Sequence, residues 1–369
     1  MDDRERLILL NSVSDIGSLR VERLLEAFGS LKAVYEATRE QLQQVEGIGP
    51  ALAAQIVNGC RDTAVIAREE ALAKRHACTI VTRLDDGYPE PLRQISDPPL
   101  VLYMKGSWQS EDAMAVAMVG SRQASLYGRE IAQRLAADLA VRGVTVVSGL
   151  ARGIDGVSHR GALQGGGRTL AVLGSGLARI YPTEHAELAK EVVEQGALIS
   201  EYPMTMEPLP HNFPRRNRLI SGLSLGVVIV EAAKCSGALI TADCALEQGR
   251  EVFAVPGRVD TMTAQGTHQL LKQGARLVTC VEDILEELRL RPLEGSVPIN
   301  ASREASQQDD MTDAESQLLG YLDSQHPQEL DALAAQTGLP ASRCASTLLT
   351  LELKRAVKQL PGKRFVAVR

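Results

Sequence analysis

The chain has 369 residues, too many for one small core, so two or three domains are expected. A net charge of −6 excludes a protein coated in basic charge, and any nucleic-acid site must be a local patch. The six cysteines (Cys60, Cys78, Cys235, Cys244, Cys280, Cys344) are scattered without a CxxC pair, which excludes a disulfide or zinc framework and suits reduced thiols in a cytoplasmic protein.

The acidic amino terminus, MDDRERLILL, lacks a long apolar core, so no secretory signal is expected. Residues 1–70 read as a helical domain. Ile16-Gly17 and Ile48-Gly49 each separate two helical apolar patterns, and Leu42–Ile56 matches a helix-hairpin-helix of the SAM-like kind. A Gly-hydrophobic-Gly turn of that type offers backbone N–H groups to a DNA phosphate. A protein-docking or spacer role for the same shape stays open.

Residues 71–290 form the main domain. Cys78–Met104 is mixed and marks its edge. From Ala115 the pattern alternates, with strands expected at 115–119, 144–148, 169–173, 197–200, 226–230, 251–254 and 276–279. Helices are expected at 128–141, 156–164, 184–194, 215–222, 238–248, 266–273 and 281–289. Strands apolar throughout, joined by amphipathic helices, predict a doubly wound α/β fold with a parallel sheet covered on both faces and ligands at the strands' carboxyl ends. The apolar run Val227–Val230 ends at Glu231 and is far too short to cross a membrane.

Residues 291–310 are polar and aperiodic and read as a linker. Residues 311–369 read as a winged-helix domain: helices at Ala314–Leu322, Leu330–Gln336 and Ala341–Leu353, then a VKQL-PGK-RFVAV hairpin. Its second half carries Arg343, Lys354, Arg355, Lys358, Lys363, Arg364 and Arg369 against Glu352 alone. A DNA-facing third helix and wing is one reading, and a protein-docking domain is the other.

The chemistry gathers in the loops after the strands. Gly120-Ser121-Arg122 follows the first strand and leads into a helix, leaving unpaired N–H groups and a guanidinium at the turn. The device recurs at Ser148-Gly149 with Arg152-Gly153, at Gly174-Ser175-Gly176, and at Ser236-Gly237 with Thr241. Phe213, Arg215, Asn217 and Arg218 lie in the densest basic cluster of the domain. Four such loops on neighbouring strand ends imply an extended anion-binding surface. Tyr127, Tyr181, Tyr202 and Phe213 fall beside them, and aromatic faces among phosphate-binding groups are the parts of a single-strand binding groove.

Nucleotide motifs fail. Arg179 occupies the third glycine position of a dinucleotide fingerprint starting at Gly174, and no P-loop exists. Gly222-Leu223-Ser224-Leu225-Gly226 matches GxSxG, but with a helix before it and a strand after, the reverse of the hydrolase elbow. Asp155 and His159 read as a helix cap and a packed histidine, with no second ligand pair for a metal. Glu201 and Glu231 are either catalytic carboxylates or residues that orient Arg and Ser/Thr loops.

The motifs VGSRxxSxYG, VSGLARGIDGxxHxxAL, VLGSGLxxxYP, GALISEYP, FPxRNRLISGLS, SGALITAxxALEQGREVFAVPG and GTxxLLxxGA resemble the DprA/Smf family of DNA-processing proteins, almost unbroken from Leu100 to Leu285. The resemblance implies an extended Rossmann-like domain that dimerises and binds single-stranded DNA without catalysis, cofactor or metal. It also implies that the strand is protected and handed to RecA, over SSB, as in natural transformation. DNA contacts implied by motif position are Gly120, Ser121, Arg122, Ser148, Gly149, Arg152, Gly153, Gly174, Ser175, Gly176, Phe213, Arg215, Asn217, Arg218, Ser236, Gly237 and Thr241. The dimer surface would include His268, Leu271 and Leu277. Ala178, His185 and the LPHN loop before Phe213 depart from the usual pattern. Two rivals are a nucleoside-monophosphate hydrolase of related fold and a duplex-DNA regulator acting through the winged helix.

Overall fold

The computed structural model describes residues 1–13, 16–290, 312–323, 327–353, 356–360 and 364–367. They fall into two compact units, Met1–Ser296 and Val297–Arg369.

The first unit opens with helices α1 (Asp3–Ser12), α2 (Ser18–Phe28), α3 (Leu31–Glu36), α4 (Arg39–Leu42), α5 (Pro50–Arg61) and α6 (Ala64–Arg75). A capping box between Asp2 and Glu5 starts α1, and its Leu7, Ile8 and Leu9 are fully buried with Val21, Leu24, Leu42 and Ile56. Glycines Gly17 and Gly49 begin α2 and α5, the two turns legible in the sequence. This helical module shares its core with the sheet that follows, through Val101, Tyr103, Leu198 and Met204. The buried Glu69 carboxylate accepts from the Met204 N–H at 2.9 Å, fastening the two parts.

The sheet runs β1 (Thr79–Thr82), α7 (Glu90–Arg93), β2 (Val101–Gly106), β3 (Ala115–Gly120), α8 (Leu126–Val141), β4 (Thr145–Ser148), α9 (Ile154–Gln164), β5 (Thr169–Val172), α10 (Ala186–Gln195), β6 (Gly196–Ser200) and α11 (Asn212–Gly222). It continues with β7 (Gly226–Glu231), α12 (Gly237–Glu247), β8 (Glu251–Ala254), α13 (Gln265–Lys272), β9 (Arg276–Leu277) and α14 (Val281–Glu287). Strand order is β1-β2-β6-β5-β4-β3-β7-β8-β9. The strands from β6 to β9 are parallel, and β1 and β2 add an antiparallel pair at one edge. The expected parallel sheet is thus extended into a mixed one, since the β1–β2 connection holds one helical turn and returns the chain antiparallel instead of crossing over the sheet.

Strand residues alternate between two covered faces. Ala117, Val119 and Ile229 pack with Leu219, Ile220 and Ala242 from α11 and α12. Val116, Met118, Val228 and Val230 pack with Leu135, Leu139 and Ile284 from α8 and α14. Each of the valine, leucine, isoleucine and methionine side chains contributes roughly 1.5–3 kcal/mol of burial. The formal GxSxG match bridges the end of α11 and the start of β7, and the Ser224 hydroxyl donates inside the helix to Ile220 at 2.9 Å.

In the second unit, α15 (Asp313–Gly320), β10 (Gln328–Glu329), α16 (Leu330–Thr337), α17 (Ala341–Leu353), β11 (Val357–Leu360) and β12 (Arg364–Ala367) form a winged helix. Its core is Leu318, Leu333, Cys344, Leu348, Leu351, Val357 and Phe365. The short β10 pairs with the β12 edge, a third strand that the sequence pattern did not announce. The linker at 291–310, with Lys354, Arg355, Lys363 and Arg369, lies outside the described residues.

His159 on α9 is fully buried, and its Nδ1 lies 2.7 Å from the Thr169 hydroxyl, which itself donates to Val146. Nδ1 therefore carries the proton, and Nε2 is buried without a partner among the described residues. Burial pushes the imidazole down to about 3. Between the usual histidine range and that value the unfolded chain binds the extra proton, so stability is lost as pH falls. Urea denaturation of the wild type should show roughly 1 kcal/mol more loss between pH 6 and pH 5 than His159→Asn. Equal losses in the two proteins would contradict this assignment.

Candidate nucleic-acid interface

Strand order reverses between β3 and β7, so the connections after these strands leave to opposite faces and open a crevice at their carboxyl ends. Glu231, the last residue of β7, ties the two sides together. Its carbonyl accepts from the Ser121 N–H at 2.7 Å. Its carboxylate Oε2 accepts from the Ser125 N–H at 3.0 Å and the Ser125 hydroxyl at 3.1 Å. That hydroxyl in turn accepts from the Gly128 N–H at 3.0 Å, capping α8. Glu231 is 5% exposed, so it orients the Ser125 cap.

The loop before α9 wraps the same junction. Gly153 has φ +74°, and a Cβ there would stand 2.1 Å from the Ser121 carbonyl, which accepts from the Ile154 N–H. Asp155 does more than cap: its Oδ2 accepts from the Gly149 and Ala151 N–H groups at 3.1 and 3.3 Å. Those donors are already satisfied, and the buried Ser148 hydroxyl donates to the Met118 carbonyl at 2.6 Å. Burial pushes the Asp155 carboxyl up, opposed first by the Arg216 guanidinium. The Gly174–Gly176 loop is likewise internal. The Ser175 hydroxyl donates to the Arg179 carbonyl at 2.8 Å, the Gly176 N–H donates to the Met206 carbonyl, and Gly174 makes room for the Phe213 ring.

These supports surround a cleft of about 440 Å³ lined by Gly120, Arg122, Asp155, Tyr181, Phe213, Arg216, Asn217, Ser236, Gly237 and Thr241 among others. Phe213 and Tyr181 pack at 5.7 Å between ring centroids with planes at 49°. The Arg122 guanidinium lies 5.1 Å from the Phe213 centroid and that of Arg216 lies 6.0 Å away. Ser236 caps α12, accepting from Ala238 at 3.3 Å, and the Asn217 amide donates to the Gly237 carbonyl. The arrangement offers an aromatic face, an exposed guanidinium and a helix amino end to one ligand.

A family model, DNA recombination-mediator protein A, matches residues 79–289. The chain belongs to this DprA/Smf family. Flanking models match as well: a SAM-like helix-hairpin-helix tandem at 7–62 and the DprA winged-helix domain at 302–363. The Smf protein of Escherichia coli is 47% identical over 278 residues, 74% of each chain. The DNA processing protein DprA of Bacillus subtilis is 43% identical across 57% of this chain and 71% of its own. The crystal structure of Streptococcus pneumoniae DprA superposes with a TM-score of 0.67 at 32% identity, covering 78% of this chain and 98% of that one. A Helicobacter pylori DprA structure, described for its single-stranded DNA binding mode, matches with a TM-score of 0.51 at 28% identity over 57% and 95% of the chains.

Against this DprA frame, the residues singled out in the sequence separate into three environments. Gly120, Arg122, Phe213, Asn217, Ser236, Gly237 and Thr241 line the cleft, and Ser121 lies at its rim beside Arg122. Ser148, Gly149, Gly153, Gly174, Ser175 and Gly176 are scaffold whose polar groups are turned inward. The remaining arginines differ from one another. Arg215 is exposed, whereas Arg152 holds Glu184 through two bonds of 2.6 Å with both side chains about half exposed. Arg218 is turned from the cleft to a half-buried pair of carboxylates, at 2.6 Å from Asp97 and 2.6 Å from Glu201, which hold its guanidinium in the charged form. Glu201 thus does orient an arginine. Tyr202 is a core residue whose hydroxyl donates to Asn212. His268 points its Nε2 at the Gly257 carbonyl, Leu271 packs against the core, and Leu277 is 52% exposed on the edge strand β9.

Arg216 belongs to the basic cluster read from the sequence but is not among the contacts singled out there. It is 3% exposed and donates through Nη1 to the Gly149 carbonyl at 2.8 Å and to the Val172 carbonyl. Burial pulls its guanidinium down to about 10, against the attraction of Asp155, so it remains a cation at neutral pH. The periodicity of α11 held the signal, since Arg216, Leu219, Ile220 and Leu223 share one buried face.

A Cβ at Gly128 would stand 2.0 Å from Glu231 Oε2. Gly128→Ala must displace the carboxylate from Ser125, and urea denaturation should show a loss of about 1–3 kcal/mol. A variant as stable as wild type would contradict the clamp.

Proposed function

We propose that this chain binds single-stranded DNA along the β3/β7 crevice and acts as a non-catalytic recombination mediator. In this reading it protects the strand, assists loading of RecA in the presence of SSB, and works as a homodimer in the cytoplasm. The observation that carries the proposal is the assembly of Arg122, Phe213 and Tyr181 on one wall of the switch-point cleft. Bases stack on the rings while backbone phosphates meet the guanidinium and the amino end of α12. The single-stranded DNA binding named for the Helicobacter pylori relative supports it. So does the enclosure of Glu231, the carboxylate that a hydrolytic reading would require in the open.

Fluorescence anisotropy with labelled oligo-dT and its duplex, at two salt concentrations, tests the proposal. The single strand should bind more tightly and lose affinity with salt. Arg122→Ala should weaken binding at least about ten-fold and lower the salt dependence by roughly one phosphate contact. Equal binding of duplex and single strand, or an Arg122→Ala protein indistinguishable from wild type, would contradict it.

The Arg152–Glu184 pair adds a second expectation. The carboxylate occupies the planar fork that a phosphate would use. Glu184→Gln should therefore tighten oligo-dT binding in the same assay. Unchanged or weakened binding would contradict a phosphate contact by Arg152.

A further inference from the structure

The cleft carries more positive charge on its floor than a passing strand requires. Arg216 is a buried cation whose Nη1 is spent on two backbone carbonyls, and its Nε is buried without a partner among the described residues. Asp155, the acidic residue lining the same cleft, directs its Oδ2 to the Gly149 and Ala151 N–H groups. Arg122 adds a second guanidinium beside the same Phe213 ring. The eleven-residue helix α12 directs its amino end, Gly237 and Ala238, into the cleft. Two guanidiniums, one carboxylate and about half a positive charge from the helix end leave the cleft close to +1.5. A backbone phosphodiester brings one negative charge, whereas a phosphate monoester brings about 1.5 to 2 at neutral pH. The volume of about 440 Å³ suits one nucleotide unit rather than a run of them.

We propose that the cleft is selective for a nucleoside phosphate monoester, with the phosphate received between Arg122, Arg216 and the amino end of α12 and the base against Phe213. This rests on the cleft being the nucleic-acid site. The chemistry has two sources: a phosphorylated strand end, or a free nucleoside monophosphate that competes with the strand.

The full chain is titrated with 3′-labelled oligo-dT carrying either a 5′-hydroxyl or a 5′-phosphate. The bound 5′-hydroxyl strand is then challenged with thymidine 5′-monophosphate, thymidine or inorganic phosphate. At least ten-fold tighter binding of the 5′-phosphate strand supports the strand end as the source. Displacement by the monophosphate at ten-fold lower concentration than by thymidine or phosphate supports the free nucleotide. Arg122→Ala, at an exposed position, should remove either preference, and Arg216→Gln should do the same where thermal unfolding shows it folded. Equal binding of the two strands together with equal competition by the three small molecules overturns the proposal, while leaving the single-strand reading intact. Failure of the 5′-hydroxyl strand to bind, with the monophosphate bound in calorimetry, removes the mediator reading and retains the monoester site.

Discussion

The fold and its cleft depend on one junction, where Glu231 ends β7 beside Gly120 at the end of β3. At the switch point of a doubly wound sheet the two central strands send their connections apart, and the backbone there loses its ladder. Glu231 replaces that ladder, binding the Ser121 N–H with its carbonyl and the α8 cap with its carboxylate. Gly120, Gly128 and Gly153 surround it because side chains at those places would collide with Glu231, Ile154 or Ser121. The turn carrying Arg122 is therefore set by the sheet, and an exposed guanidinium is aimed by buried bonds.

Four arginines near this junction show how environment assigns roles to one side-chain type. Arg218, between two carboxylates, is an ion-pair bolt joining α11 to Asp97 and Glu201. Arg216 lies one helical face away, bonded to carbonyl dipoles with no ion pair among the described residues, and only the attraction of Asp155 offsets its charge under the cleft. Arg152 is held by an exposed carboxylate, a pairing of little strength in water and open to exchange. Arg122 is exposed, with its guanidinium over an aromatic face. Ordered by availability to an incoming anion, Arg122 leads and Arg218 is last.

Much of this was legible in the sequence. Each of the seven strands expected from Ala115 onward appears within one or two residues, because runs such as AVAMV and GVVIV can be satisfied only inside a two-sided sheet. The winged helix and both hairpin turns followed from apolar periodicity and glycine placement. What escaped was the fate of individual polar groups. Residues in FPRRNR look alike until the helix register sends Arg216 under the cleft and Arg218 to the far carboxylates. The glycine loops looked like four equivalent anion cradles. Asp155 fills one of them with its own carboxylate, and Met206 closes another. These partners lie far away in sequence or on the opposite side of a turn, where no local pattern reports them.

The central claim is that ligand binding is organised at the β3/β7 crevice rather than on the flanking helical modules. Hydrogen–deuterium exchange of the full chain, with and without oligo-dT, tests it most directly. The account predicts new protection at residues 121–129, 213–217 and 236–241, with little change elsewhere. Protection confined to residues 42–56 or 341–360, with the crevice exchanging as in the free protein, would contradict it.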